Sequence, residues 1–275
     1  MSFRRPNLLS LCAPLPALLL GVVTMRQLGV GTSAWAMNLA ACVAGLLLFA
    51  LVRSSSFRAS SYFASAASIA AIVATFFSRD VDGVHRWLFL GGFALHAASV
   101  VAPLLIGAVA TPPRRYLAIV VAAATALLLA LQPDASQATS FAAACAVLLA
   151  FDPKLGRGVR AGAVVALAVC AVVSLLRPDP LDPVRHVEGI FDAVSARGPT
   201  WTLLAAIALV LLPLPFFVAW KRRRDPLAAA LGVYVALVTL AAFWGTFPVP
   251  VMGYGVSPIL GYFIALALCD RRLDG

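Results

Sequence analysis

Charge is what this sequence has least of. Only 12% of its 275 residues are Asp, Glu, Lys or Arg, about half the share of an ordinary soluble domain. Acidic residues are scarcest, 11 against 21 basic ones, and there are 3 His. With 62% hydrophobic residues and a mean hydropathy of +0.97, no single water-soluble core could bury the apolar surface. A soluble enzyme, a disordered chain and a disulfide scaffold are thereby excluded. The alternating segments that a membrane β-barrel needs are also missing; runs such as Ala161 to Leu176 and Leu203 to Trp220 are unbroken. No internal repeat, Gly-rich phosphate loop or metal-ligand spacing is present. Cys12, Cys42, Cys145, Cys170 and Cys269 all fall in apolar runs without ligand-like spacing and read as small packing residues.

What is present is a succession of apolar segments. They predict an all-α, polytopic integral membrane protein, one domain over residues 1–275, with about ten transmembrane helices. The expected spans are 8–25, 33–52, 60–77, 92–110, 116–131, 138–151, 159–176, 200–220, 226–244 and 255–269. A span takes roughly 20 residues, so ten leave room for connections and no soluble domain. Pro213 and Pro215 predict a kink in the eighth, as lipid-buried helices tolerate.

Basic residues set the expected orientation. With the N-terminus in the cytoplasm, the inner segments hold Arg4, Arg5, Arg53, Arg58, Arg114, Arg115, Lys154, Arg157, Arg160, Lys221, Arg222, Arg223, Arg224, Arg271 and Arg272. The outer ones hold Arg26, Arg79, Arg86, Arg177, Arg185 and Arg197. Both termini are therefore expected in the cytoplasm. The net charge of +10 then belongs to the inner face and reports topology. It points to the lipid bilayer and its anionic inner leaflet as a partner, and to no nucleic acid.

Ionisable groups are almost absent from the spans and gather in outer segments 78–99, 132–137 and 177–199. The last is the longest connection, and such loops are often functional. Within it, Val184, Val187, Phe191 and Val194 form an apolar helical stripe, with Arg185, Glu188 and Asp192 on another face. This predicts a short amphipathic helix over 183–194 at the outer surface. From the pattern alone, reading the three charges as its wetted face is favoured over a functional role. Taken singly, Arg86, Trp87 and Tyr254 read as interfacial anchors, Gln132-Pro133-Asp134 as a turn, and His96 as a local cap.

Together the outer segments resemble the SEDS family of cell-division, rod-shape and sporulation proteins (FtsW, RodA, SpoVE). Gly83-Val-His-Arg86-Trp87 with Leu90-Gly-Gly-Phe93 is similar to the family's G-x-x-R-W…L-G-x-F element. Gln132-Pro-Asp134 resembles Q-P-D-x-G-T. Pro183-Val-Arg185-His186-Val-Glu188-Gly-Ile-Phe191 resembles P-E-x-H-T-D-F-I-F. Pro248-Val-Pro-Val-Met-Gly-Tyr254-Gly-Val-Ser257 resembles L-P-F-x-S-Y-G-G-S-S. The four occur in the family's order, each between the expected spans.

The resemblance implies a peptidoglycan glycosyltransferase that polymerises lipid II, a polyprenyl-linked saccharide, on the outer face, in cell-wall synthesis for division or cell shape. It implies a class B penicillin-binding protein as partner and no firm cofactor, with a divalent cation left open. It places the catalytic carboxylate at Glu188. Arg86, Trp87, Arg185, His186, Gln132, Asp134, Tyr254 and Ser257 become substrate-binding candidates, Arg86 and Arg185 near the diphosphate. Glu188 stands where the family has Asp. The family's Q-P-S-E reads His96-Ala-Ala-Ser99, and a nearby Lys is Ala102. Those departures keep a second function open, a catalytically silent scaffold or lipid-substrate holder beside a penicillin-binding protein. A lipid-linked saccharide transporter is a third, disfavoured by the lack of charge at mid-membrane depth.

Overall fold

A backbone in lipid must satisfy its polar groups internally, and long apolar runs do so as helices. A computed structural model describes residues 8–54, 61–111, 115–244 and 246–271. The basic residues Arg4, Arg5, Arg58, Arg114 and Arg272 lie outside the described residues.

The helices are α1 (Leu8–Cys12), α2 (Leu15–Gln27), α3 (Thr32–Arg53), α4 (Ser61–Thr75), α5 (Ala97–Ala110), α6 (Arg115–Leu131), α7 (Ala135–Ala150), α8 (Arg157–Leu176), α9 (Ile190–Ser195), α10 (Pro199–Val210), α11 (Leu214–Arg223), α12 (Pro226–Ala241) and α13 (Val256–Arg271). Each of the ten expected spans falls on a helix or helix pair. Among the described residues, three are long and apolar enough to cross a membrane by length and composition: Leu8–Gln27, Thr32–Arg53 and Arg157–Leu176. A fourth, Pro199–Val210 with Leu214–Arg223, is bent by 41°. The break falls at Pro213 and Pro215. There the Phe216 amide bonds to Pro213 O, and the Leu212 carbonyl is taken by the Tyr262 hydroxyl at 2.9 Å.

The all-α expectation holds, with one local exception. Residues 87–96 form an antiparallel hairpin, β1 (Trp87–Leu90) and β2 (Phe93–His96), with Trp87 opposite His96. Gly91 turns it at φ 61°, a conformation a residue without Cβ adopts freely. The fourth span therefore begins at Ala97 rather than at 92.

Packing relies on small residues, as it does between helices in lipid. The broadest interfaces join α3 to α13, α7 to α8 and α12, and α5 to α13. A Cβ on Gly45 would lie 2.3 Å from the Phe263 ring, and one on Gly261 only 1.9 Å from the Ser99 carbonyl. The centre holds Leu105, Phe141, Phe216 and Phe263, all fully buried. Outward, Leu47, Leu51, Val165, Val169 and Val172 are exposed, a surface suited to acyl chains. Hydroxyls within helices turn back on their own backbone, Thr24 to Leu20 O and Thr239 to Val235 O.

Candidate functional site

Four loops meet at the end of the helices where α3, α5 and α13 begin. Arg86, just before β1, is the junction. Its Nε donates to Gln132 O at 3.2 Å, its Nη2 donates to Pro133 O, and Nη2 pairs with Asp179 Oδ2 at 2.8 Å. Segments 78–99, 132–137 and 177–199 are thus tied to one side chain. The fourth, 246–255, joins through the backbone: Tyr254 N donates to His186 O at 2.9 Å and Val249 N to Val187 O at 3.4 Å. Ser257 Oγ accepts from His96 N at 2.8 Å. A Cβ on Gly253 would lie 2.5 Å from Val187 O, so that close approach requires glycine. Asn38 in α3 pins the same loop, donating to Gly253 O and accepting from Gly255 N.

Glu188 sits in a turn over 185–189, half-buried. Its Oε2 accepts from Val184 N at 2.8 Å. That local bond explains why the expected helix over 183–194 does not form. The carboxylate closes the chain back on itself, Gly189 becomes the N-cap, and α9 covers only Ile190–Ser195. Arg185, Glu188 and Asp192 therefore do not share one helical face. Nor does α9 merely lie on the surface: Ile190 and Val194 are buried, and Phe191 meets Phe243 edge-on at 4.9 Å.

Burial pushes the Glu188 carboxyl above the ordinary glutamate range. The Asp179 carboxylate adds to this, while the Val184 amide and Arg86 oppose it without prevailing. Asp134 goes the other way. It is buried, which alone would raise it, but His96, Arg86 and the Gln137 amide outweigh burial and hold it below the usual range. His96 Nε2 stands 3.0 Å from Asp134 Oδ2, and Nδ1 stands 2.9 Å from Ser99 Oγ. From Ser99 the polar contacts continue to Gln137 (3.2 Å) and from there to the Tyr234 hydroxyl (2.7 Å). Ser99, Gln137 and Tyr234 line a small cavity of about 30 Å³ beside the break at Leu212.

The remaining candidates fall as follows. Trp87 stands edge-on to His96 at 5.8 Å, and Tyr254 lies against His186 at 6.0 Å. Gln132 is buried and donates to Thr75 Oγ1 and, at 3.4 Å, Ile72 O, which makes it a brace between α4 and α6. Arg185 is exposed. Arg86 is 5% exposed, a buried post rather than an interfacial anchor. Among the described residues no group of three or more His, Cys, Asp or Glu is placed to hold a metal ion.

Sequence reasoning missed Asp179 and Asn38 as parts of this site. Asp179 carried a weak signal, an acidic residue in the longest loop; Asn38 carried another, an amide in an apolar span.

No family model matches the chain, and no curated protein does. Solved structures do. The rod shape determining protein RodA of Thermus thermophilus is similar at TM-score 0.69, with 19% identity over 98% of this chain and 97% of that one. An aspartate-to-alanine mutant of the same protein gives 0.70, with 20% identity over 95% of both chains. A chain of a peptidoglycan synthase complex that coordinates polymerisation and crosslinking gives 0.69, with 20% identity over 95% of this chain and 97% of that one. The fold is thus that of RodA, a SEDS-like helical membrane fold, over nearly its whole length.

Proposed function

We propose that the chain is a SEDS-type peptidoglycan glycosyltransferase of the bacterial inner membrane, acting on saccharide units carried by polyprenyl diphosphate. The observation that carries this is Glu188: a carboxylate of raised proton affinity, held by a turn that the other motif-bearing loops lock in place. The acceptor's sugar hydroxyl attacks the donor's anomeric carbon. The new C–O bond forms as the bond to the diphosphate breaks, and Glu188 takes the hydroxyl proton. Cations near the leaving diphosphate stabilise its charge; Arg185, on the same turn as Glu188, and Arg86 are the candidates. The reading carries with it ten crossings, cytoplasmic termini and an outward-facing site. Likeness to a component of a synthase complex that also crosslinks supports a class B penicillin-binding protein as partner.

The silent-scaffold reading keeps one specific support: the Arg86 donors are spent within the protein, on Gln132, Pro133 and Asp179. Polymerisation of labelled lipid II by the purified protein, with and without its partner, separates the two. Glycan strands lost on Glu188→Ala support the enzyme. No strands under any condition, together with full complementation of cells by Glu188→Ala, would leave the scaffold.

A further inference from the structure

The C-terminus of α6 leaves carbonyls without helical partners, and two arginines cover them. Arg177 Nη1 donates to Ala130 O at 2.9 Å and to Leu131 O at 3.0 Å. Arg86 takes Gln132 O and Pro133 O. These carbonyl partners are neutral and belong to the frame. Asp179 differs. It is the one carboxylate paired with Arg86 among the described residues, and it lies in segment 178–184, which is neither helix nor strand. Its side chain is otherwise tied only to its own loop, with Oδ1 accepting from Leu181 N at 3.2 Å. A carboxylate oxygen against a guanidinium makes the same charge-assisted bond that a phosphate oxygen makes.

We propose that Asp179 is a resident counter-anion that the diphosphate of a lipid-linked substrate displaces from Arg86, which makes it a positioning residue that decides when the cation is free for substrate. The identity of the anion rests on the glycosyltransferase reading; the exchange at Arg86 does not. Displacement costs the protein one ion pair and no fold contact of Arg86, because both carbonyl bonds remain. The incoming group carries at least the charge that leaves. The incoming charge therefore acts on Glu188 in the same direction as the Asp179 carboxylate it replaces, which adds to the effect of burial.

The test uses the full chain in lipid nanodiscs and inorganic pyrophosphate as the probe. Asp179→Asn keeps the shape without the charge and should bind pyrophosphate about tenfold more tightly than wild type, the scale of one released charge pair. Asp179→Glu should stay near wild type. Adding Arg86→Gln to Asp179→Asn should erase the gain. Binding no tighter in Asp179→Asn, or a gain that survives Arg86→Gln, overturns the proposal. Should Asp179→Asn fail to fold, the wild type decides by hydrogen exchange. Saturating pyrophosphate should speed exchange in 178–184, most at the Leu181 amide, and unchanged or slowed exchange there overturns it. A chain inert on lipid II that still shows the Arg86-dependent gain would sink the glycosyltransferase reading and leave this exchange standing. An active chain without the gain would do the reverse.

Discussion

The two ends of the helices use arginine differently. At the end opposite the candidate site, arginines join helix ends to one another or to a neighbouring turn. Arg53 pairs with Asp270, linking α3 to α13; Arg115 pairs with Asp152 at 3.0 Å; Arg223 donates to Cys269 O at 3.1 Å, linking α11 to α13. At the site end, Arg86 joins loops, and carboxylates outnumber the arginine. Asp179 pairs with it, and Asp134 and Glu188 lie within its electrostatic reach. The same residue type serves as a rivet at one end and as the centre of an unbalanced cluster at the other. Burial is what chiefly raises the proton affinity of Glu188, and the Asp179 carboxylate adds to it, the kind of shift that marks a candidate base.

The strongest way to break this comparison is at Glu188. Glu188→Ala should lower lipid II polymerisation about 10²- to 10⁴-fold, the usual worth of a general base, with little change in thermal melting. A melt that collapses with the activity would make Glu188 a structural residue. Arg86 comes next. Arg86→Met leaves Asp179 without its cation and the Gln132 and Pro133 carbonyls without their donor, and should cost about 3–5 kcal/mol. Arg115→Met, whose side chain is 37% exposed, should cost about 1 kcal/mol or less. Denaturation in mixed micelles compares them, and equal losses would erase the distinction between rivet and cluster. Gly253→Ala tests how the fourth loop supports the turn. Its Cβ would meet Val187 O at 2.5 Å, an overpacking worth about 1–3 kcal/mol, with activity lost beyond what stability explains. Gly162→Ala in α8, where a Cβ meets nothing, is the control and should leave both unchanged or stability slightly raised.

The bundle was legible in the sequence because lipid imposes a crude requirement: apolar runs, breaks at proline, charge at the ends. Those features are written residue by residue, and the ten segments were found with them. The site was legible only through resemblance, because its logic is long-range. Nothing near Arg86 in the sequence says that its partners are Gln132, Pro133 and Asp179. The hairpin at 87–96 hid inside an apolar run, where a strand and a helix start look alike until Gly91 and Gly92 are read as a turn. The helix expected over 183–194 failed for a local reason with no periodic signature, a glutamate side chain that caps its own turn. Periodicity counted Glu188 as a helix face, whereas its hydrogen bond to Val184 N places it in the turn before α9.

The smallest effects separate two carboxylates within the cluster itself. Glu188 has its proton affinity raised in the fold and Asp134 has it lowered, so acid should reach them in that order. As pH falls, Glu188 protonates first, above the ordinary glutamate range, and polymerisation should decline there while the melting temperature holds. Asp134 still carries its charge at that point. A carboxyl whose folded-state value is depressed contributes stability that is present above its unfolded value and lost as pH falls through the folded one. Asp134→Asn should therefore melt lower than wild type at neutral pH, with the gap closing only in acid stronger than the usual aspartate range. Activity and melting measured across the same pH series test this directly. Loss of both at one pH would mean that the two carboxyls titrate as one unit, and that the opposing shifts around Arg86 do not divide the site into a base and a brace.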